Sequence, residues 1–363
     1  MLRRLIYLCC MALGCSLMTG CSVIDEDLTN CDQPVPPDPP TPEEPEAELN
    51  YDLRLVTNMT TELQTELTTQ TDIELANALR DYLGNIFTDF AHDVDLSFYD
   101  TEGDSMLLQK DQHIMDANQA SYTLNLPMRE YMHLAAANVM DNELVTIGND
   151  IRCHSSMLLQ TIRDTIESHT TGLFTARQKM EVLGNVSQNF NVHLYMANCA
   201  AALVLDPRGF GSLDRVRVYS TGFASGFSIC DSLFYFDQKP PVVRTETIKL
   251  DHLAERAFCS VTFPSREPST TRTIIETTEP FIAQPGEESL WEFRVYVTVP
   301  ATAEKEESIT ETILRIREPL RAGQLKIIRA WIGDQGEVVS DAPELTTSVT
   351  LDWKDGLHIV TTR

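Results

Sequence analysis

The chain has 363 residues, of which 54 are acidic and 28 are basic, so its formal net charge is −26. Such an acidic excess repels phosphate backbones and anionic lipid headgroups, which excludes nucleic acid as an expected partner and a basic helical face as a membrane anchor. The length leaves room for two domains of ordinary size behind an N-terminal leader and linker.

The N-terminus has the pattern of a signal peptide, which we predict over residues 1–20. Arg3 and Arg4 form a basic start, and the run from Leu5 to Leu17 is apolar and uncharged. A membrane-spanning helix needs about 20 apolar residues, so this shorter run indicates a leader. An uncleaved N-terminal membrane anchor is the alternative. No later run of apolar residues reaches the length of about 18 that would predict a membrane span.

A candidate lipid-attachment site ends the leader. Residues 17–21, Leu-Met-Thr-Gly-Cys, resemble a lipobox, where bacterial lipoproteins are cut just before a diacylated cysteine. The small Thr19 and Gly20 suit a peptidase that needs uncrowded backbone, and the thiol of Cys21 is the nucleophile that takes the lipid. Cys15 is a second candidate, but it leaves a shorter apolar run. We therefore predict lipidation of Cys21.

Five cysteines remain beyond the leader and Cys21, an odd number without a CxxC pair. They are Cys31, Cys153, Cys199, Cys230 and Cys259. This set is neither a dense disulfide framework nor a metal-binding knuckle. We expect at most one or two disulfides, and buried free thiols are an equally good expectation.

A spacer is predicted between the lipid and the first folded domain, over residues 21–47. Residues 31–46 contain seven prolines and five acidic residues. That composition favours an extended, self-repelling polyproline arm of about 3 Å per residue. Simple disorder is the alternative, and in either case the segment holds the folded body away from the membrane.

The first predicted domain covers residues 48–208 and mixes strands with helices. Asp72 is a candidate N-cap for a helix that continues at helical spacing to Ile86. A second helix is predicted from Ser156 to Glu167. Period-two patterns predict strands at residues 53–56, 94–99, 121–126, 131–139, 191–197 and 201–205.

The second predicted domain covers residues 209–363 and is more plainly β. Alternation predicts strands at residues 215–219, 259–263, 291–299 and 309–316. Residues 347–360 have the form of a hairpin that turns at Asp355 and Gly356. We predict a mainly β chain of two β-sandwiches in tandem, with a few helices inserted in the first.

Short motifs at both ends and in the middle resemble those of one known family. Cys21 is followed by an acidic stretch and a second cysteine, and the chain end has a valine-containing run that leads to Asp-Trp and a Gly turn. The motifs lie at residues 21–31, 94–99, 134–139 and 348–356. In these motifs the chain resembles the Bacteroidetes-type fimbrium anchoring subunits, which are the FimB-like lipoproteins of the type V pilus system. The proline-rich spacer and the threonine-rich segment before Ile86 depart from the family's pattern.

The resemblance implies two transthyretin-like β-sandwiches, a lipid anchor in the outer membrane with the body at the cell surface, and pilin subunits as partners. Assembly in that system resembles strand complementation, in which a segment of one subunit fills a sheet groove of its neighbour. The implied partner-strand residues are Val349, Leu351, Trp353, Leu357 and Ile359. An ordinary closing strand of the second sandwich is the alternative for this segment.

The acidic run at residues 25–27 also resembles the signals that send such lipoproteins to the outer face of the membrane.

Host or bacterial surface ligands are further candidate partners of the chain.

The sequence has no pattern that indicates catalysis. It has no zinc-protease motif, phosphate-binding loop or nucleophile elbow, and its eight histidines are scattered. His133 and His193 lie in predicted strands, where we expect structural histidines. Asp93 and Asp95 share one strand face, which suits calcium or a pair of acids, but a solvated outward face is the simpler interpretation. We predict no enzyme, no catalytic residue, no metal site and no cofactor.

Two functions therefore fit the sequence. The first is a fimbrial anchor, accessory or tip subunit. The second is a surface glycan-binding lipoprotein or adhesin, which would display aromatic platforms for sugar rings. Trp291, Trp331 and Trp353 all stand at strand positions suited to a core. That placement favours the fimbrial interpretation.

Overall fold

The computed structural model describes residues 45–56, 73–88, 90–102, 106–115, 120–148, 152–161, 163–184, 186–250, 253–266, 290–303, 305–341, 345–352 and 360–362. These residues form four β-sheets and one α-helix. Residues 45–363 make one compact unit. Searched over its described residues, the chain has no helix with the length and apolar character of a membrane span. The predicted mainly β class is confirmed.

The elements of the first half are listed here in chain order. They are β1 (Glu46–Val56), α1 (Ile73–Ile86), β2 (Asp93–Asp100), β3 (Leu108–Met115), β4 (Ser121–Pro127), β5 (Glu130–Ala137), β6 (Val145–Gly148), β7 (Met157–Gln160), β8 (Thr165–Ile166), β9 (Phe174–Glu181), β10 (Gln188–Met196) and β11 (Cys199–Asp206). A single 3-10 turn, Cys153–Ser155, precedes β7.

The second half adds only strands within its described residues. They are β12 (Val216–Thr221), β13 (Gly226–Ser228), β14 (Leu233–Tyr235), β15 (Val242–Arg244), β16 (Glu246–Lys249), β17 (Arg256–Thr262), β18 (Trp291–Val299), β19 (Ser308–Ile316), β20 (Leu325–Ile332), β21 (Val338–Val339), β22 (Leu345–Asp352) and β23 (Val360–Thr362).

The strands pair into four sheets. Sheet 1 has the order β3-β2-β5-β9-β10-β1-β4, and sheet 2 has the order β16-β17-β11-β20-β21. Sheet 3 runs β23-β22-β19-β18-β12-β15-β8, and sheet 4 runs β14-β13-β7-β6. Most pairs are antiparallel, but β1 is parallel to β10, β11 is parallel to β20 and β8 is parallel to β15. Parallel neighbours need crossover connections, so these three pairs join segments that are distant in the sequence.

The sheets pack face to face around three apolar clusters. The first cluster joins sheet 1, α1 and one face of sheet 2, and the second joins the other face of sheet 2 to sheet 3. The third lies between sheet 1 and sheet 4. Sheet 2 is thus apolar on both faces, which explains why β11 reads as a continuous apolar run and is buried from Cys199 to Leu205.

Helix α1 forms where the sequence predicted a helix. Leu75, Leu79, Leu83 and Ile86 follow a spacing of three or four residues and are all buried in the first cluster. Glu74 in the first turn suits the positive end of the helix dipole. The predicted N-cap at position 72 lies outside the described residues.

The second predicted helix, Ser156 to Glu167, is wrong. This segment forms β7 and β8 instead, and β7 pairs with both β6 and β13. Within β7 the burial alternates, because Leu158 and Gln160 are buried and Leu159 is exposed. Pairing with residues 226–228, nearly 70 positions along the chain, overrides a local helical spacing.

The predicted division at residues 208 and 209 stays a prediction. Sheet 1 contains only strands that precede this point, while sheets 2, 3 and 4 contain strands from both sides of it. In particular β11, which we expected to close the first domain, lies between β17 and β20 in sheet 2.

Candidate functional site

The C-terminal segment forms one edge of sheet 3. Among the partner-strand candidates, Val349 and Leu351 lie in β22, opposite Thr312 and Thr310 of β19. The other three, Trp353, Leu357 and Ile359, lie outside the described residues. β22 and β23 are antiparallel, as the predicted hairpin requires.

The two long sides of β22 are paired very differently. On one side it matches β19 over eight positions, from Leu345 opposite Ile316 to Asp352 opposite Ile309. On the other side, within the described residues, β23 matches it at three positions, from Ser348 to Thr350. Among the described strands β23 is the outer strand of sheet 3, and the outer strand of a sheet presents backbone groups with which an added strand can pair.

β19 belongs to the buried centre of sheet 3. Thr310, Thr312, Leu314 and Ile316 are each at most 2% exposed, and the Thr312 hydroxyl accepts a hydrogen bond from the backbone N–H of Val338 at 3.0 Å. A strand that lies beside β19 is therefore held by backbone pairing along a well-packed scaffold.

The three tryptophans do not all occupy a core. Trp291 is buried, and its indole N–H donates to the Glu318 carbonyl at 2.9 Å. Trp331, at the end of β20, is only partly buried, so its expected core placement is wrong. Trp353 lies outside the described residues. A signal was present, because Trp331 shares its strand face with the exposed Arg329.

Trp331 lines an open groove of about 470 Å³. Such a volume is in the range of small-ligand sites, about 300–1,000 Å³. The charged residues of its lining are Asp206, Arg208, Glu255, Arg329 and Asp341. The groove thus combines one aromatic ring with three carboxylates and two guanidinium groups. The sequence predicted a core position for Trp331 and did not single out the charged groups.

A turn at the end of β11 fixes the groove's geometry. The Asp206 carboxylate accepts the backbone N–H of Arg208 at 2.8 Å, and Arg208 takes a left-handed φ of 46°. This conformation is uncommon for a residue with a side chain. It places the guanidinium carbon 3.7 Å from the centre of the Trp331 ring, a cation–π contact that holds the indole in position.

Two buried histidines are structural, as expected for His133. Its Nδ1 lies 3.1 Å from the Ser97 carbonyl and its Nε2 lies 2.7 Å from the Tyr51 hydroxyl. The imidazole is therefore neutral, donating through Nδ1 and accepting at Nε2. Burial lowers the pKa of His133 to about 4. His193, the other predicted structural histidine, is exposed on β10.

His169 is the second buried imidazole. Its Nε2 donates to the Gln160 side-chain oxygen at 3.0 Å, and its Nδ1 accepts from the Asn198 amide at 2.7 Å. Burial lowers its pKa to about 3. Both ring nitrogens are hydrogen-bonded in the neutral form. His169 therefore connects three segments of the fold and has no nitrogen left to bind a ligand.

The four described cysteines, Cys153, Cys199, Cys230 and Cys259, are free and buried. Burial raises the pKa of Cys259 to about 12. A hydrogen bond from the Cys153 thiol lowers the pKa of Cys230. Free buried thiols were one of the two expectations, and Cys31 lies outside the described residues.

Asp93 and Asp95 are 2% and 8% exposed, so the prediction of a solvated face for them is wrong. They lie on β2 beside His113 of β3. Their strand face lies over the third apolar cluster, which the alternation pattern alone did not reveal.

The described chain is a multi-sheet β protein whose two candidate interaction surfaces are a strand edge and an open groove. No protein-family model matches it, and no curated protein matches its sequence.

Among solved structures, it is similar to a candidate adhesin from Bacteroides ovatus, with 9% identity over 87% of this chain and 96% of that one and a TM-score of 0.47. It is similar to a candidate polysaccharide-binding protein from Bacteroides thetaiotaomicron, with 9% identity over 84% and 96% of the two chains and a TM-score of 0.46. It is also similar to the fimbrial anchor protein Mfa2 from Porphyromonas gingivalis, with 10% identity over 87% and 100% and a TM-score of 0.43. At this level of identity and superposition, the likenesses establish neither family membership nor function.

Proposed function

We propose that this protein is a structural, non-enzymatic subunit of a fimbria, an anchor or accessory subunit held in the outer membrane by lipid on Cys21. The acidic proline-rich segment, residues 21–47, serves as a stalk. Pilin subunits are joined through the C-terminal segment by β-strand complementation. The observation that carries this proposal is the unequal pairing of β22 within the described residues, over eight positions with β19 and over three with the edge strand β23.

The backbone supplies most of the affinity in such a contact. Each added strand forms a ladder of N–H to C=O bonds, and alternate side chains fix its register. The apolar residues Val349, Leu351, Trp353, Leu357 and Ile359 alternate within each of two short runs. The first run begins in β22, and the second leads directly into β23. In a partner's sheet groove, these alternating apolar side chains would lie on one face and fix the register of the segment.

A truncation after Glu344 tests the proposal, because it removes β22 and β23 and leaves β19 as the edge of sheet 3. Pilin is expected to co-purify with the full chain from native outer membranes and to be lost with the truncated chain. Quantitative mass spectrometry of the affinity-purified material measures the ratio of pilin to bait. Pilin retained by a folded truncated chain would contradict the proposal, and so would its absence from both samples.

Because truncation exposes β19, a second pair of variants separates folding from binding. The double variant L357D/I359D puts charge at two alternating positions of the segment and is expected to lose pilin. H358D changes the residue between them, on the opposite face of an extended chain, and is expected to keep it. Neither variant alters the β22–β19 pairing. Equal retention by both variants would show that the segment's alternation is not what pilin recognises.

The Trp331 groove favours glycan binding as the second candidate function. Sugar rings stack on aromatic faces, and carboxylate and guanidinium groups bond their hydroxyls. Trp331, Arg208 and Glu255 supply these three elements in one groove.

Replacing Trp331 with alanine is expected to weaken binding of a bacterial surface polysaccharide about tenfold or more, the equivalent of about 1.4 kcal/mol. Glycan-array screening followed by calorimetry measures this. Y195A is the matched control, because Tyr195 is 60% exposed on β10 and lines no part of this groove. Equal losses in W331A and Y195A, or no glycan bound by the wild type, would rule out the groove as the binding site.

A further inference from the structure

A buried acidic cluster lies where β2 and β3 pair, remote in the topology from the C-terminal edge. The two strands are antiparallel, and Asp95 stands directly opposite His113. Asp93 is two positions from Asp95 and therefore on the same face. The imidazole Nδ1 of His113 is 2.7 Å from a carboxylate oxygen of Asp95. One ligand atom from each of the three residues lies within 4.8 Å of the other two.

Asp93 is only half satisfied by the protein. Its Oδ1 accepts the backbone N–H groups of Val139 and Met140, both at 3.2 Å. Its Oδ2 is buried and has no hydrogen-bond partner among the described residues. Buried carboxylate oxygens without a partner are rare, since the lost hydration costs free energy that nothing returns.

Negative charge surrounds this orphan oxygen. Asp95, Asp93 and Asp141 interact electrostatically, and Asp111 lies close to Asp95. Of the positively chargeable groups, His113 interacts with both Asp93 and Asp95, and His92 lies 3.3 Å from Asp141.

We propose that Asp93, Asp95 and His113 form a binding site for a divalent transition-metal ion of the zinc class. Two carboxylates and one imidazole are donors that Zn²⁺ takes at about 2.0–2.2 Å, so two ligands of one ion lie up to about 4 Å apart. The three donor atoms lie within 4.8 Å of one another, which is close to that separation. The imidazole disfavours Ca²⁺, which takes oxygen ligands. The proposal replaces the sequence-based expectation of no metal site.

The geometry also provides an entrance and a structural consequence. The His113 side chain is 32% exposed, whereas that of Asp95 is 10% exposed, so the imidazole faces the solvent side of the cluster. β3 is the edge strand of sheet 1 among the described residues, and β2 is its neighbour in that sheet. A metal ion bridging β2 and β3 would tie this edge strand to the sheet.

A second cluster, His154, Cys230 and Asp231, provides the comparison within the same molecule. Its carboxylate is fully used, because one oxygen of Asp231 lies 2.8 Å from His154 Nδ1 and the other accepts the Ser228 hydroxyl at 3.0 Å. No orphaned atom points to a ligand there. His154 therefore serves as a control for adventitious binding to an exposed His–Asp pair.

The test is calorimetric titration of the chelator-treated full chain with Zn²⁺, Mn²⁺ and Ca²⁺, together with thermal unfolding in each ion. One equivalent of Zn²⁺ is expected to bind, to bind more tightly than Ca²⁺, and to raise the melting temperature. D93N keeps the Oδ1 acceptor for Val139 and Met140 and is expected to weaken Zn²⁺ binding tenfold or more. H113Q changes a partly exposed residue and is expected to do the same, while H154Q leaves binding unchanged.

Three results would overturn the proposal. The first is no saturable Zn²⁺ binding by the wild type, and the second is the same Zn²⁺ affinity in D93N and H113Q as in the wild type. The third is a loss of Zn²⁺ affinity confined to H154Q. Circular dichroism and the melting temperature without metal report whether each variant is folded. If D93N fails to fold, H113Q still tests the site.

Discussion

Serine in place of Cys21 is expected to abolish incorporation of labelled palmitate and to remove the protein from the outer membrane. The lipobox-like run at residues 17–21 places this thiol just after the predicted cleavage point. The hydroxyl of serine is a far weaker nucleophile than a thiolate and does not take the lipid in its place. Mass spectrometry of the N-terminal peptide and membrane fractionation measure the two outcomes.

The expected effect is nearly complete because the lipid is the proposed means of membrane attachment. Each buried methylene of an acyl chain contributes about 0.8 kcal/mol, and two chains make attachment stable. The net charge of −26 offers no attraction to anionic headgroups. No helix in the described part of the chain meets the criteria for a membrane span.

C15S is the matched control for the Cys21 prediction. It removes the alternative lipid-attachment cysteine while leaving residues 17–21 intact, and it is expected to keep both label and location. Loss of label in C15S but not in C21S would move the attachment site to Cys15. A wild-type chain that carries no label, but stays in the membrane through an intact N-terminus, would instead favour the uncleaved anchor.

Strands with strict alternation were predictable from the sequence alone. The run predicted at residues 291–299 is β18, and its inward residues Trp291, Phe293, Val295 and Val297 are all at most 2% exposed. Helix α1 was equally clear. In both cases one face of a single element meets one core, so the local pattern contains the required information.

What the sequence did not predict depends on partners that are distant in the chain. β7 forms because β13 and β6 flank it, and its own spacing suggested a helix. β11 lies in sheet 2 because β20 runs parallel beside it, over 120 residues later. The buried setting of Asp93 likewise depends on the segment at Val139 and Met140, whose N–H groups bond it. Such pairings leave no periodic trace in either segment.

The candidate sites divide in the same way. The partner-strand candidates in the C-terminal segment came from the family resemblance, whereas the local pattern of residues 347–360 predicted the hairpin to which the antiparallel β22 and β23 belong. The Trp331 groove was missed, since it needs the turn after β11 to bring Arg208 onto a ring carried by β20. Only the exposed Arg329 on the same strand face hinted that Trp331 was accessible.

Lowering the pH from 7 to 5 is expected to cost about 2 kcal/mol of unfolding free energy for each of His133 and His169, about 4 kcal/mol together. In the folded chain burial holds their pKa values at about 4 and about 3. In the unfolded chain both return to about 6.5. Between these values the unfolded state binds protons that the folded state excludes, so stability falls as the pH drops below about 6.5.

Denaturant unfolding at pH 7, 6 and 5 measures this slope, and the variants H133Q and H169Q identify its source. Glutamine keeps a donor and an acceptor but does not titrate, so the stability of each variant is expected to be less sensitive to acid. Each variant is also expected to be less stable at pH 7, because it replaces a buried imidazole. H193Q, at an exposed position on β10, is the control for the histidine-to-glutamine change itself.

Comparing slopes rather than single curves is necessary because Asp93 and Asp95 act in the opposite direction. Burial raises their pKa values, so the folded state gains stability from them as protons bind at low pH. That contribution is common to the wild type and the histidine variants and cancels in the difference. His133 joins β1 to β5, and His169 joins the segments around Gln160 and Asn198. If H133Q and H169Q kept the wild-type dependence of unfolding free energy on pH, the two imidazoles would not be neutral, fully bonded groups.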